Sequence, residues 1–577
     1  MTNKELADTF ALIADLLQIK GEVIYKILAY RKAAESLTSL GRNAQDIWRE
    51  GGIPALLEIP GVGKALAEKI DELLDTGKLQ FLVKLTKEVP ASLAGLLPVP
   101  DLGPKKIALF WKELGIVDLR GLEKAARAGK LRSLPGMGEK SEAKILAGIE
   151  SLGRRSGRTP IEKALPFAQE QLALLRRLRG VSAAEAAGSL RRMRETVGDI
   201  DLLIAASDST PVMAAFTGQP GVARILGQGG TKASVEFNNG MRAQIWVHPP
   251  ERFGTALQYA TGSKDHNVRL RERALKLGLS LSEHALTRIK SEEEILCATE
   301  AEVYETLGMP WIAPELREDT GEVAAALQGS LPRLVQADDL ISDLHTHSTW
   351  SDGKAGILEM AQEARRRGYK VLAISDHSFG LGIVTGMRPE DVIARKKEIE
   401  KVQAKMGTSI KILNGVEVEI KADGRLDYDD DLLGSLDVVV ASLHVSLRQP
   451  RDQITARLLN AIRNPHVDII GHPTGRQIPD REPADLEMDA VLAAAAETQT
   501  ALEINANPRR LDLNDVYARR AVEMGIPISI NTDAHAPEHF DLLDYGVGTA
   551  RRAWVTAEAV INSWPAKRLL KWLESRE

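Results

Sequence analysis

Cysteine is nearly missing: Cys297 stands alone among 577 residues. A single thiol rules out an internal disulfide and any structural zinc site built on thiolates, and it points to a reducing compartment. Also missing are an apolar run long enough to cross a bilayer and a leader with a charged start and an apolar core. The expectation is a cytoplasmic chain without membrane contact. No excess of positive charge marks the whole chain, which carries −5 at neutral pH, yet residues 1–335 carry +3 and residues 336–577 carry −8. That division suits a front that holds nucleic acid and a back that holds cations. Histidine is absent from the first 247 residues, and eight of the 11 lie beyond position 340. One hydrophobic core does not organise a chain of this length, so several domains are expected.

What the back half does hold is imidazole and carboxylate in short motifs. Residues 343–353 read DLHTHSTWSDG. Positions i and i+2 of a strand share a face, so His345 and His347 project side by side, with Asp352 close behind. From about residue 340, short β-branched runs alternate with longer helical patterns, the signature of parallel strands joined by crossover helices. Most runs end on a ligand-type residue: VLAISDH on Asp376 and His377, VVVASLH on His444, VDIIGH on His472, IPISINTDAH on Asp533 and His535, while KILNGVEVE carries Glu417. Barrels of this class gather functional side chains at the carboxyl ends of their strands. One such histidine is an ordinary core residue; six at strand ends read as a metal site. Imidazole with carboxylate and no thiolate suits catalytic Zn2+, Mn2+ or Fe2+. His466 and His539 fall off the strand ends and are left out. Arg476 and either Arg509 or Arg510, in loops after strands, are candidates for holding a phosphate.

In these motifs residues 339–577 resemble a PHP domain, the polymerase and histidinol phosphatase family of metal-dependent phosphoesterases. The resemblance implies a distorted (β/α)7 barrel with a cluster of about three ions. Its ligand positions fall on His345, His347, Asp352, His377, Glu417, His444, His472, Asp533 and His535 without departure. It also implies hydrolysis of DNA phosphodiesters, because such ions acidify water and clamp the attacking and leaving oxygens.

The front half reads differently. Residues 1–157 are helical in pattern and repeat one punctuation three times: IPGVG at 59–63, VPDLGP at 99–104 and LPGMG at 134–138. Gly61, Gly63, Gly103, Gly136 and Gly138 permit tight turns, and each following helix offers free N–H groups to a phosphate. Three such turns read as helix-hairpin-helix elements that track a DNA backbone without reading sequence. Next, GSLRRMRETVGDIDLLIA at 188–205 sets Asp199 and Asp201 on one face of a strand, with Ile200 and Leu202 on the other. Paired carboxylates that share divalent ions are the core of two-metal phosphoryl transfer, and Gly188 and Ser189 open a turn suited to a triphosphate.

With YATGSKDHNVRLRER at 259–273, these motifs resemble the family X DNA polymerases, and the whole chain is similar to the bacterial PolX type. The fold this implies is multidomain, with N-terminal all-α helix-hairpin-helix domains, an α+β palm and thumb, and the C-terminal α/β barrel. Expected boundaries are a helical DNA-binding, lyase-like domain at 1–86, helix-hairpin-helix fingers at 87–158, palm at 159–250, thumb at 251–318, a linker at 319–338 and the PHP domain at 339–577. The resemblance gives Asp199 and Asp201 to catalysis with Mg2+ or Mn2+, Ser189 and Arg192 to the triphosphate, and Tyr259, Asn267 and Arg271 to the nucleotide and minor-groove side. Lys69 takes the position of a Schiff-base lysine that removes a 5′-deoxyribose phosphate, and Lys32 a phosphate-holding position. The implied partners are gapped or nicked DNA and deoxynucleoside triphosphates, met by a monomer.

Two positions break the family pattern. A third carboxylate belongs on the strand MRAQIWVH, where this chain has Gln244. An amide takes no proton from a primer hydroxyl and removes a full charge from a metal site. The hairpin signal Asn239-Gly240 sets Glu236 opposite Ala243, off the face of Gln244, which makes it a poor substitute. Ala260 replaces an aromatic beside Tyr259 and takes a wall from the sugar pocket. The implied function is a repair enzyme that fills gaps with its front half and trims 3′ ends or incises abasic sites with its back half. The alternative is a DNA-binding scaffold with nuclease activity alone, and Gln244 discriminates between them.

Overall fold

The computed structural model describes residues 1–575 other than 39, 41, 100–101, 155–157 and 382–384, so Pro100 and Asp101 of the second glycine turn lie outside the described residues. Two compact units emerge, Met1–Ser156 and Gly157–Glu577.

The first unit is helical. Its first helix, Asn3–Lys20, begins on Thr2 and Glu5, which cap one another's backbone, and ends at Gly21 in the left-handed region, φ 86°. Leu6, Phe10, Ile13 and Leu17 repeat at helical spacing and are buried. Each contributes on the order of 1.5–3 kcal/mol by leaving water. Gly61 and Gly136 have φ of 79° and 72°, which a β-carbon would strain. Gly63 and Gly103 precede the helices Lys64–Thr76 and Pro104–Leu114 without a side-chain cap, leaving first-turn N–H groups for an outside acceptor.

In the second unit a five-stranded palm sheet comprises β1 (Val181–Ala186), β2 (Ile200–Ala206), β3 (Val222–Gln228), β4 (Lys232–Phe237) and β5 (Arg242–His248), ordered β1-β2-β5-β4-β3. β2 and β5 run parallel, with Asp201 opposite Gln244. The β4–β5 hairpin corrects an expectation. Phe237 N–H donates to the Met241 carbonyl and Gly240 N–H to Phe237, closing a loop of three residues rather than two. Glu236 therefore pairs with Arg242, and Ser234 with Gln244. A slip of one residue flips faces, so Glu236 does share the face of Gln244. Arg242 separates it from Asp199, however, with its Nη2 3.5 Å from Glu236 Oε2.

The helices Phe253–Thr261 and Lys264–Lys276 lead into the thumb. Glu300 locks thumb to palm: it accepts from Arg191 at 2.8 Å on both oxygens and from Arg317 at 2.6 and 3.1 Å. Residues 319–338, read as a linker, pack on the thumb in their first part, and Val335 then enters the barrel core, its N–H donating to the Val555 carbonyl. The first part forms the helix Glu322–Gln328, and fully buried Glu322 sits 2.6 Å from His266 Nδ1 and accepts backbone N–H groups of Asp319 and Thr320.

Seven parallel strands follow in chain order: β6 (Ser342–Asp343), β7 (Val371–Ile374), β8 (Lys411–Glu419), β9 (Val438–Ser442), β10 (Ile469–Gly471), β11 (Ala501–Asn505) and β12 (Ile528–Asn531). A bridge between Thr346 and Ala534 brings the last strand's extension to the first and nearly closes the barrel. Strands such as VLAI and VVVAS are buried throughout, as expected for parallel strands covered by helices.

Candidate functional site

The carboxyl ends of the barrel strands bring all nine expected donors together. Glu417, on β8, is the hub. Its Oε2 lies 2.8 Å from His377 Nδ1, 3.3 Å from His345 Nε2 and 3.6 Å from His347 Nε2, while Oε1 lies 2.9 Å from His472 Nε2 and 3.3 Å from His444 Nε2. Asp533 Oδ1 lies 3.0 Å from His347 Nε2, and Asp352 Oδ2 3.2 Å from His535 Nε2. Three overlapping groups form, with donor atoms in each within 4.8 Å: His347, Asp352, His377 and His535; His345, His347 and Asp533; His377, Glu417 and His444. His472 and Asp533 sit at φ of 28° and 53°, strained backbone of the kind that collects at functional sites.

Partners behind the imidazoles fix which nitrogen faces inward. Glu503 accepts from His345 Nδ1 at 2.8 Å, Glu419 from His444 Nδ1 at 2.7 Å, and the Asp533 carbonyl from His535 Nδ1 at 2.8 Å. Each bond turns the Nε2 lone pair to the centre. Sequence reasoning missed Glu503 and Glu419. The signal was a carboxylate inside a buried strand, ALEIN, and a second glutamate two residues after Glu417 on the same face.

Electrostatics divide the ring. Burial pushes His347 down to about 4, with His535 and His377 adding to the effect. Against the same desolvation, Glu417 and Glu419 hold His444 up at about 9. Several buried donors lack a hydrogen-bond partner: His345 Nε2, both nitrogens of His347, His472 Nδ1 and Asp533 Oδ1. Leaving such atoms unsatisfied costs roughly 1–3 kcal/mol each. The donor set therefore fits divalent cations.

The loop arginines separate. Arg476 is committed to the carbonyls of Arg510 and Leu511 and to Glu195, and Arg509 to Asp480. Arg510 remains beside the centre, with its Nε 3.7 Å from Asp533 and a buried Nη1 without a hydrogen-bond partner.

In the palm, a cleft of about 590 Å³ is lined by Gly188, Ser189, Arg192, Asp201, Gln244 and Trp246, and also by Tyr259, Ala260, Asn267 and Arg271. Gly188 has φ 59°, and a β-carbon there would stand 2.1 Å from Asp201 Oδ2. Gln244 Nε2 donates to Asp201 Oδ1 at 2.6 Å. Burial raises Asp201 to about 6, with the Gln244 amide opposing and Asp199 adding. Asp199 itself is exposed at the strand's start. Asn267 donates to the Tyr259 carbonyl at 2.9 Å, and the Arg271 guanidinium stands 5.6 Å from the Tyr259 ring centre. In the first unit, the stem of Lys32 lies against the Gly61 turn, and Lys69 Nζ donates to the Ala65 carbonyl at 3.1 Å, 5.4 Å from the Phe81 ring centre.

This chain is similar to a protein of Bacillus subtilis (strain 168), "DNA polymerase/3'-5' exonuclease PolX". It is 38% identical over 579 residues that span 100% of both chains. The chain belongs to the PolX family. Four family models agree with the PolX assignment: a helix-hairpin-helix domain at 1–79, a SAM-like helix-hairpin-helix tandem at 93–151, the DNA polymerase beta thumb at 256–318 and a PHP domain at 343–507. The two halves of this chain also have separate relatives. DNA polymerase lambda of Rattus norvegicus is 26% identical over 355 residues, 55% of this chain and 56% of its own. A probable phosphatase of Thermoanaerobacter sp. (strain X514) is 33% identical over 237 residues, 39% of this chain and 91% of its own. DNA is the partner these domains imply, and among the described residues no helix is long and apolar enough to cross a membrane.

Proposed function

We propose that this protein is a DNA repair enzyme with two active sites. The barrel removes 3′-terminal nucleotides and incises abasic sites, and the palm fills short gaps. The convergence of five imidazoles on Glu417, with Asp352, Asp533 and His535 beside them, carries the first half of the reading. His345, His347, Asp352, His377, Glu417, His444, His472, Asp533 and His535 would hold about three Zn2+, Mn2+ or Fe2+ ions. When bound, such ions acidify a water nucleophile and stabilise both oxygens of the displacement. The chain's own part is to aim the imidazoles through Glu503 and Glu419, to exclude bulk water by burying the donors, and to meet the scissile phosphate with Arg510.

In the palm, Asp199 and Asp201 would share Mg2+ or Mn2+, with Ser189 and Arg192 on the triphosphate and Tyr259, Asn267 and Arg271 against the nucleotide. Gln244 slows this site, because its amide occupies an oxygen of Asp201 and supplies no base. The relative's printed name favours a working polymerase over a bare scaffold. Lys69 acts as a lyase nucleophile, with Lys32 and the turn glycines Gly61, Gly63, Gly103, Gly136 and Gly138 on the DNA backbone. The substrate is gapped or nicked DNA with deoxynucleoside triphosphates, met by a cytoplasmic monomer at the nucleoid.

The test is digestion and extension of a labelled one-nucleotide-gap duplex with Mn2+. His345→Ala should abolish 3′ trimming and leave nucleotide addition, while Asp201→Ala should do the reverse. Trimming that survives both His345→Ala and Asp533→Ala sinks the proposal.

A further inference from the structure

The palm segment that begins at Gly188 has two faces. Gly188, Ser189 and Arg192 line the cleft. The residues just after them dock on the PHP barrel. Met193, at φ 53°, lies over Gly548, where a β-carbon would come within 2.6 to 3.1 Å of its Cε, Cβ and Cγ. Only glycine lets the barrel helix Leu543–Arg552 approach so closely.

Arg552 ends that helix, and its side chain is 6% exposed. It donates Nη1 to the Arg192 carbonyl at 2.9 Å and to Glu318 Oε1 at 3.0 Å, and Nη2 to Asp515 at 2.5 Å. The same Glu318 oxygen accepts from Arg192 Nε at 3.0 Å. Arg192 Nη1 donates to the Thr261 carbonyl on the cleft wall. A barrel arginine thus grips both the backbone of Arg192 and the carboxylate that orients its guanidinium.

We propose that Arg552 of the PHP barrel is a positioning residue for the nucleotide pocket of the polymerase. The proposal rests on reading the cleft as that pocket. Arg192 and Arg552 donate to Glu318, Arg194 Nη1 stands 3.9 Å from the same oxygen, and Asp515 accepts from Arg552, so three guanidiniums face two carboxylates with Arg192 held at the cleft. Without Arg552 the excess positive charge beside a site meant for a triphosphate is gone, and the Arg192 carbonyl and Asp515 lose their donor. Glu318 is then free to draw Arg192 away from the cleft. The barrel in this way completes a site that it does not itself line.

The experiment uses the full chain on a one-nucleotide-gap duplex, with binding of the complementary deoxynucleoside triphosphate measured in Ca2+ and gap filling in Mn2+. Arg552→Met should raise the nucleotide Kd and KM about tenfold and leave kcat and 3′ trimming within about twofold, assayed below its melting temperature. Arg552→Lys keeps the charge but not the fork, and should recover part of the affinity; it also serves if Arg552→Met folds poorly. In an Arg192→Ala background Arg552→Met should add nothing, because it acts through Arg192. If Arg192→Ala leaves nucleotide binding untouched, the reading of the cleft fails. If Arg192→Ala weakens binding while Arg552→Met does not, or if the two losses add in full, the positioning role is overturned.

Discussion

Replacing Gln244 by Asp should speed nucleotide addition. Gln244 lies directly across the parallel pair from Asp201 and donates to its Oδ1 at 2.6 Å. An aspartate is one methylene shorter, so it withdraws from that oxygen, returns a full negative charge to the ion site and adds a base within reach of a primer hydroxyl. Positioned general bases contribute roughly 10²–10⁴-fold, or about 3–5.5 kcal/mol of barrel-independent barrier lowering at 1.36 kcal/mol per tenfold. The assay is single-turnover filling of a one-nucleotide gap with Mg2+ across pH 5 to 8. Gln244→Asp should gain about a hundredfold, whereas Gln244→Ala should stay within a fewfold of the native rate, since it frees the Asp201 oxygen but adds no base. In the native enzyme the rate should fall about tenfold per unit below pH 6 and flatten above it, because Asp201 must be ionised to hold an ion and burial has raised it to about 6. A Gln244→Asp rate within threefold of the native one would refute the reasoning.

Three further outcomes follow from particular contacts. Glu503→Gln removes the acceptor that orients His345 and should weaken barrel metal affinity about 10–100-fold, read by competition with a chelator. Glu300→Gln strands two guanidiniums, one of them fully buried, and should cost about 3–5 kcal/mol in urea denaturation. Arg191 and Arg317 hold the Glu300 carboxyl well below its ordinary 4.5 despite burial. Its stabilisation is therefore present above pH 4.5 and lost as pH falls below it, and the deficit of Glu300→Gln should shrink on acidification. Lys69→Ala should abolish the DNA adduct trapped by borohydride while leaving gap binding within a fewfold, checked on a 5′-deoxyribose phosphate duplex.

Most of the candidate metal donors were legible because they stand at or just past strand ends, where composition and period both change, while Glu417 lies inside β8 and Asp352 in the loop after β6. The carboxylates that orient them were missed, since Glu419 and Glu503 belong to buried apolar strands and only their charge within an apolar run marks them. The helix Glu322–Gln328 was hidden by its alanines, which read as spacer, although Glu322 anchors it through a buried pair with His266. The β4–β5 register was misread by one residue because Asn239-Gly240 suggests a two-residue turn, while Asn238 joins the loop and Gly240 adopts φ 80°. The grip of Arg552 on Arg192 joins residues 360 apart, beyond the reach of any local pattern.

The central claim is that the barrel's nine donors bind a cluster of ions that the nuclease needs. Elemental analysis of the purified chain, before and after chelation and beside Glu417→Ala, tests it most directly. About three transition-metal equivalents per chain, lost on chelation together with 3′ trimming and much reduced in Glu417→Ala, is the expected result. A native protein that takes up no ions and still trims 3′ ends would contradict it.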